Sequence, residues 1–187
     1  MGLTQLEAEL DATADYYRRL ACTRLIVPWV PPELRTDWHA LARRLGDIAQ
    51  KLARFGMCLG YHHHDFEFAR VDGQRALDVL LANPAAADCF VELDTAWVHA
   101  GGEDAIAYIQ KYAGRCPLIH LKDFSRDTDG KTIDQPVGRG ELHLPGLFAA
   151  ARDAGVQWAL VELDRCPDGS MATARACIEH LMAGGFC

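Results

Sequence analysis

Four pairs of ionisable residues repeat one spacing in this chain: His62 and His64, Glu92 and Asp94, His120 and Lys122, and Glu162 and Asp164. Each pair brackets a single residue at the end of a short apolar run, so in an extended backbone both members face the same way. Imidazoles and carboxylates gathered like this form a mixed nitrogen and oxygen set that suits a divalent metal. Such a metal polarises a carbonyl or stabilises an enediolate while a neighbouring carboxylate or His moves the proton. No Cys stands at a matching position, so a thiolate site is not indicated. Each residue alone has a plainer use. Asp94 suits a cap before Trp97, His120 a core histidine, His62-His63-His64 a solvated run, and Glu67 a loop carboxylate. Glu162 and Asp164 alternate with Val161 and Leu163 as on a half-exposed edge strand, and His63, on the opposite face, is expected to be structural. Four charged ends in succession nevertheless favour a site, because strands of a parallel sheet are normally apolar on both faces.

Such convergence requires strands that end at one edge. The runs at residues 24–29, 57–62, 89–94, 117–122 and 158–163 read as strands, with helices expected over 4–21, 36–55, 75–81, 103–113, 145–154 and 170–182. Thr4 with Glu7 is a capping-box signature, and Ser170 is the expected cap of the last helix. A long polar loop is expected between residue 122 and the helix at 145. Repeated strand–helix units imply parallel strands joined by right-handed crossovers, hence an α/β fold, either a barrel or an open doubly wound sheet. Sites in such folds are assembled from the loops that leave the strands. No linker or charge block divides residues 1–187, which are expected to form a single domain.

The chain has 187 residues with 19 Lys and Arg against 26 Asp and Glu, a net charge of −7. That balance, with no basic cluster, speaks against nucleic-acid binding, which runs on phosphate neutralisation. No apolar run reaches the roughly 18 residues of a membrane span, and the first residues lack a signal-peptide layout. A cytoplasmic protein is expected. The seven cysteines (22, 58, 89, 116, 166, 177 and 187) are odd in number and include no CxxC, so reduced thiols are expected rather than a disulfide framework.

Five segments carry a resemblance: Tyr61-His62-His63-His64-Asp65-Phe66-Glu67-Phe68, Glu92-Leu93-Asp94-Thr95-Ala96-Trp97-Val98, Ile119-His120-Leu121-Lys122-Asp123, Val137-Gly138-Arg139-Gly140-Glu141-Leu142 and Val161-Glu162-Leu163-Asp164. At these residues the sequence resembles the sugar phosphate isomerase/epimerase family, also described as xylose isomerase-like TIM barrels. The resemblance implies a (β/α)8 barrel with one divalent metal (Mn, Mg, Co or Zn) at its C-terminal mouth. The implied ligands are Glu67, Asp94, His120 and Glu162, with His62 as the alternative first ligand. Catalytic roles fall to Glu67, Glu162, His64 and Lys122, and the substrate pocket to His62, Glu92, Trp97, Asp164 and Arg139, the last able to meet an anion. The implied reaction takes a proton from beside the carbonyl of a small sugar or keto-sugar and isomerises or epimerises it. Dehydration of a keto-sugar or inosose on the same site is the first alternative. An inactive barrel fragment that binds metal or a partner protein is the second. An apurinic-site endonuclease is least favoured, because Trp97 stands where that chemistry wants a further His. Five strand–helix units, matching the later ones of the family's eight, give an incomplete barrel with exposed sheet edges, which a homo-oligomer would cover.

Overall fold

The alternation of apolar runs and amphipathic stretches is carried into the computed structural model, which describes residues 2–166 and 168–186. The chain folds as two units, one up to Glu92 and one from Leu93 onward. The first contains α1 (Leu3–Ala8), α2 (Leu10–Arg19), β1 (Arg24–Val27), α3 (Trp38–Ala53), β2 (Cys58–His62), β3 (Arg70–Val71), β4 (Gln74–Arg75) and α4 (Ala76–Ala82). The strand β5 (Phe90–Asp94) ends this unit and opens the next. Its sheet has the order β1-β2-β5 and is parallel, with Tyr61 beside Val91 and His62 beside Glu92. β3 and β4 form a small antiparallel hairpin.

Helix α3 shows how the sequence sets these elements. The Asp37 carboxylate accepts the Ala40 N–H at 2.8 Å and caps the first turn. Trp38, Leu41, Leu45, Ile48 and Leu52 then fall on one buried face. Gly46 lies on that face where the backbone of Ala85 comes so close that an added Cβ would stand 2.0 Å from its carbonyl oxygen. Gly46→Ala is therefore expected to lower stability by about 1–3 kcal/mol, read as a fall in the urea midpoint at unchanged slope. An unchanged midpoint would contradict this close packing.

The second unit begins with the end of β5 and continues through α5 (Thr95–Ala100), α6 (Ala105–Lys111), β6 (Leu118–Leu121), β7 (Asp123–Arg126), β8 (Thr132–Gln135), α7 (Leu144–Ala154), β9 (Trp158–Val161) and α8 (Ser170–Ala183). Its sheet order is β5-β6-β9, with β6 and β9 parallel and His120 beside Leu160. Ile109, Ile119, Leu121 and Leu147 are at most 1% exposed and form its core. β9 is an edge strand, and its Trp158 is 62% exposed with Leu160 and Val161 exposed as well. The exposed edge expected from the alternation around Glu162 is thus present.

Several boundaries differ from expectation. The first helix is broken at Glu9, where the backbone turns to φ −120° and ψ 26°. Thr13 and Ala14 are buried in the second segment, while Leu20 just past it is 60% exposed. Gly2 stands at the start of α1 without a side-chain cap, so Thr4 and Glu7 form no capping box there. Ser170 is the first residue of α8 rather than its cap. The expected polar loop after residue 122 contains the hairpin of β7 and β8, with Asp123 opposite Gln135. The six described cysteines form no disulfide with one another; Cys187 lies outside the described residues. Among the described residues no helix is long and apolar enough to cross a membrane.

Candidate functional site

In the first unit, parallel pairing of β2 with β5 places His62 beside Glu92 at the strands' C-terminal ends. Both are buried, and His62 Nδ1 lies 3.3 Å from Glu92 Oε2. β2 ends at His62, and the chain then leaves the sheet. The ring of His64 meets that of His62 edge-on with centroids 5.0 Å apart and stacks on Phe66 at 5.6 Å. His63 is fully buried, packs edge-on against Phe68 and sets Nδ1 3.0 Å from the His64 carbonyl oxygen. That is the structural role expected of it.

Glu67 lies on a short 3-10 turn, Phe66–Phe68, and its carboxylate reaches back to the strand. The Tyr61 hydroxyl donates to one oxygen at 2.7 Å and the His64 N–H to the other at 2.8 Å. The side chain is fully buried. Burial pushes its pKa up to about 7, although both donors, and the nearby His62, favour the charged form. Burial, followed by the Glu67 charge, likewise holds the Tyr61 phenol well above its usual value.

In the second unit Asp94 caps a helix with one oxygen and turns the other towards His120. Its Oδ1 accepts the N–H groups of Ala96 and Trp97, both at 2.9 Å, and so caps α5. Its Oδ2 lies 3.8 Å from His120 Nδ1. The same imidazole nitrogen is 3.8 Å from Glu162 Oε2, just past the end of β9. Lys122 follows β6, with its side chain 1% exposed. It donates to Glu162 Oε2 at 2.9 Å and to Asp164 Oδ2 at 2.5 Å, with its ammonium 5.1 Å from the centre of the Trp97 ring. Burial alone works to lower the Lys122 pKa, but Asp164, Asp94 and Glu162 outweigh it and raise the value. The side chain is therefore a held cation at neutral pH.

Donors bound to one ion at about 2.1 Å stand roughly 3–3.5 Å apart. The carboxylates of Asp94 and Glu162 each lie 3.8 Å from the His120 nitrogen, a few tenths of an ångström beyond that spacing. Imidazole with two carboxylates also has the hardness such an ion prefers. Asp94 and His120 have ligand atoms close enough to share an ion, and the donor chemistry of Glu162 beside them suits the same kind of ion. Lys122 occupies the same Glu162 oxygen, so its ammonium and the ion would compete for it.

Arg139 is not brought onto this cluster. Its side chain is exposed on a loop that is itself tightly held. Asp123, fully buried, accepts the N–H groups of Phe124, Gly138, Gly140 and Leu142 at 2.8 to 3.1 Å. A Cβ on Gly140 would fall 2.2 Å from that carboxylate, so the close wrap needs glycine there. Sequence reasoning missed Asp123, and it missed two other positioning groups. The Thr95 hydroxyl donates to the Lys122 carbonyl at 2.8 Å and accepts the Lys122 N–H at 2.9 Å, which fixes the backbone that carries the ammonium. Asp134 accepts the N–H groups of Asp164 and Arg165 and so holds the turn carrying the Asp164 carboxylate. Asp123 and Thr95 each adjoin a singled-out residue, a signal that was available; Asp134 gave none.

The family model described as xylose isomerase-like TIM barrel matches residues 5–182. The chain is 25% identical over 165 residues to the rhizopine catabolism protein MocC of Rhizobium meliloti, covering 80% of this chain and 50% of that protein. It is 26% identical over 146 residues to an inosose dehydratase of Clostridium beijerinckii, covering 70% of this chain and 48% of that enzyme. The chain thus spans about half the length of these curated relatives. Among solved structures it resembles a sugar phosphate isomerase/epimerase from Parabacteroides distasonis, with a TM-score of 0.75, 25% identity, and coverage of 96% of this chain and 66% of that one. A match that runs along nearly all of the sequence, together with parallel strands each followed by a helix, leads to one conclusion: the chain belongs to the xylose isomerase-like TIM barrel family, with five strands of its eight-stranded barrel among the described residues.

Proposed function

We propose that this chain carries the chemistry of a divalent-metal-dependent keto-sugar isomerase or epimerase. The observation that supports it most is the meeting of Asp94, His120 and Glu162 at successive strand ends, with the Lys122 cation bound to the outermost carboxylate. An ion held by those three residues would polarise a substrate carbonyl and acidify the adjacent C–H. Glu162, 35% exposed and reachable from solvent, is the carboxylate assigned to take that proton. Lys122 stays protonated, so it acts as a hydrogen-bond donor and proton source for oxygen, not as the base. Trp97 lies against the same ammonium and gives the sugar an apolar wall. In the first unit Glu67, with a pKa brought near neutrality, is the group assigned to carry a proton at working pH.

A second reading, loss of water from a keto-sugar, is favoured by the similarity to inosose dehydratases and by Lys122, which carries a proton at neutral pH. The base takes the proton beside the carbonyl, the freed electron pair forms a C=C bond, and the departing hydroxyl takes a proton from Lys122 and leaves as water.

Metal analysis of the purified chain, followed by incubation of keto-sugars in deuterated water, tests the proposal. One equivalent of divalent metal and exchange of the carbon-bound proton are expected, with both lost in His120→Ala and metal binding weakened in Glu162→Ala. Metal binding without exchange from any keto-sugar would assign a metal-binding role without turnover.

A further inference from the structure

One cation in the first unit is positioned at the same sheet edge but belongs to none of the groups described above. Arg35 follows β1, and its guanidinium carbon lies 3.4 Å from the centre of the Phe66 ring and 5.0 Å from that of Trp29. Its Nε donates to the Val30 carbonyl at 2.9 Å. Two rings and one hydrogen bond thus fix a side chain that otherwise has large rotamer freedom. Nε is spoken for, yet the two terminal nitrogens make no hydrogen bond and no ion pair among the described residues, although Glu33 and Asp37 are close in sequence. A guanidinium whose only job was to hold the turn would need neither ring. Its remaining fork is the geometry that receives an oxyanion through two parallel N–H bonds.

The position of this fork gives it a use. Phe66 stacks on His64, His64 meets His62, and His62 meets Glu92, so a continuous row of rings runs from Arg35 to the strand ends. Trp29, 45% exposed, sets beside Arg35 an aromatic surface suited to a sugar ring. The Arg35 charge is also felt at the Tyr61 hydroxyl, which bonds Glu67.

We propose that Arg35, framed by Trp29 and Phe66, is an oxyanion subsite that selects sugars carrying a phosphate or carboxylate group over neutral ones. The proposal rests on the reading of the chain as a sugar-processing protein. Its first test does not depend on that reading.

The metal-free chain is titrated with inorganic phosphate and, separately, with acetate, following the Arg35 Nε–H and Trp29 indole N–H signals by NMR at constant ionic strength. A saturable shift of both signals is expected, and the better-binding probe identifies the oxyanion. Arg35→Gln should weaken binding about 10- to 100-fold, with Arg35→Lys between the two because a point charge replaces the fork. Urea midpoints of the variants confirm that the fold is kept. Shifts no larger than chloride produces, or undiminished binding by Arg35→Gln, would overturn the subsite. If turnover is found, KM for a phosphorylated or acidic ketose should rise in Arg35→Gln while that for its neutral counterpart holds. Phosphate or acetate binding without any turnover would sink the enzymatic reading and leave the subsite standing.

Discussion

Glu67→Gln should stabilise the metal-free protein at pH 8 by roughly 3 kcal/mol. The carboxyl is buried, and its pKa in the folded chain is raised from 4.5 to about 7. The folded state therefore holds the Glu67 proton more tightly than the unfolded state. Below pH 4.5 both states carry that proton, and its contribution to stability is fully present. As the pH rises towards 7 the unfolded chain ionises first and stability falls; above 7 both states are ionised and the whole loss remains. Glutamine imitates the protonated acid. Its carbonyl can accept the His64 N–H while its amide donates to the Tyr61 oxygen, so both contacts are kept with the Tyr61 hydroxyl turned from donor to acceptor, as it would be beside the protonated acid. Urea unfolding with a chelator present, at pH 4.5 and pH 8, checks this. The variant should match the parent at the lower pH and exceed it at the higher. Equal stability at both would mean that Glu67 ionises as freely as in water. A divalent metal that narrows the difference at pH 8 would assign Glu67 as a ligand, because the ion then offsets the buried charge.

The charged strand ends were legible because they break a strong rule. Buried parallel strands are apolar, so His62, Glu92, Asp94 and His120 stand out against runs such as Phe90-Val91 and Leu118-Ile119. Fold class followed from the same alternation. What stayed hidden depends on partners far away in sequence. Asp123 is bonded to N–H groups up to 19 residues later, and Thr95 to a backbone 27 residues on. Adjacency to a singled-out residue points at both, but no local pattern announces what either bonds, because the group on the other side is the main chain, which every residue possesses. The break at Glu9 was hidden for a related reason: a helix without Gly or Pro reads as continuous, and only packing decides where it bends. Asp94 teaches the converse. Cap and candidate ligand look like rival readings in one dimension, but a carboxylate has two oxygens: one makes the cap, and the other faces His120, so the cap does not use up the carboxylate.

Lys122→Met should abolish most turnover while leaving metal affinity undiminished or raised. The side chain is almost wholly enclosed, and its ammonium touches Glu162 and Asp164 with Asp94 close enough to act on it. Methionine keeps the length and the contact with Trp97 but removes the charge and the proton. Loss of a proton donor at a reacting oxygen costs about 10²- to 10⁴-fold in rate. The Glu162 oxygen that Lys122 shared is freed, and three carboxylates lose a close cation. A divalent ion gains from both changes. Folding should suffer little, since Glu162 and Asp164 are 35% and 54% exposed and water can take over their charges. Rate and affinity therefore move in opposite directions, which no general loss of structure can imitate. Calorimetric metal titration beside the solvent-deuterium assay reads both. If metal affinity falls with the rate, Lys122 supports the site only by holding Glu162 in place. If the rate survives, the proton for the sugar oxygen comes from another group, and the assignment of Lys122 fails.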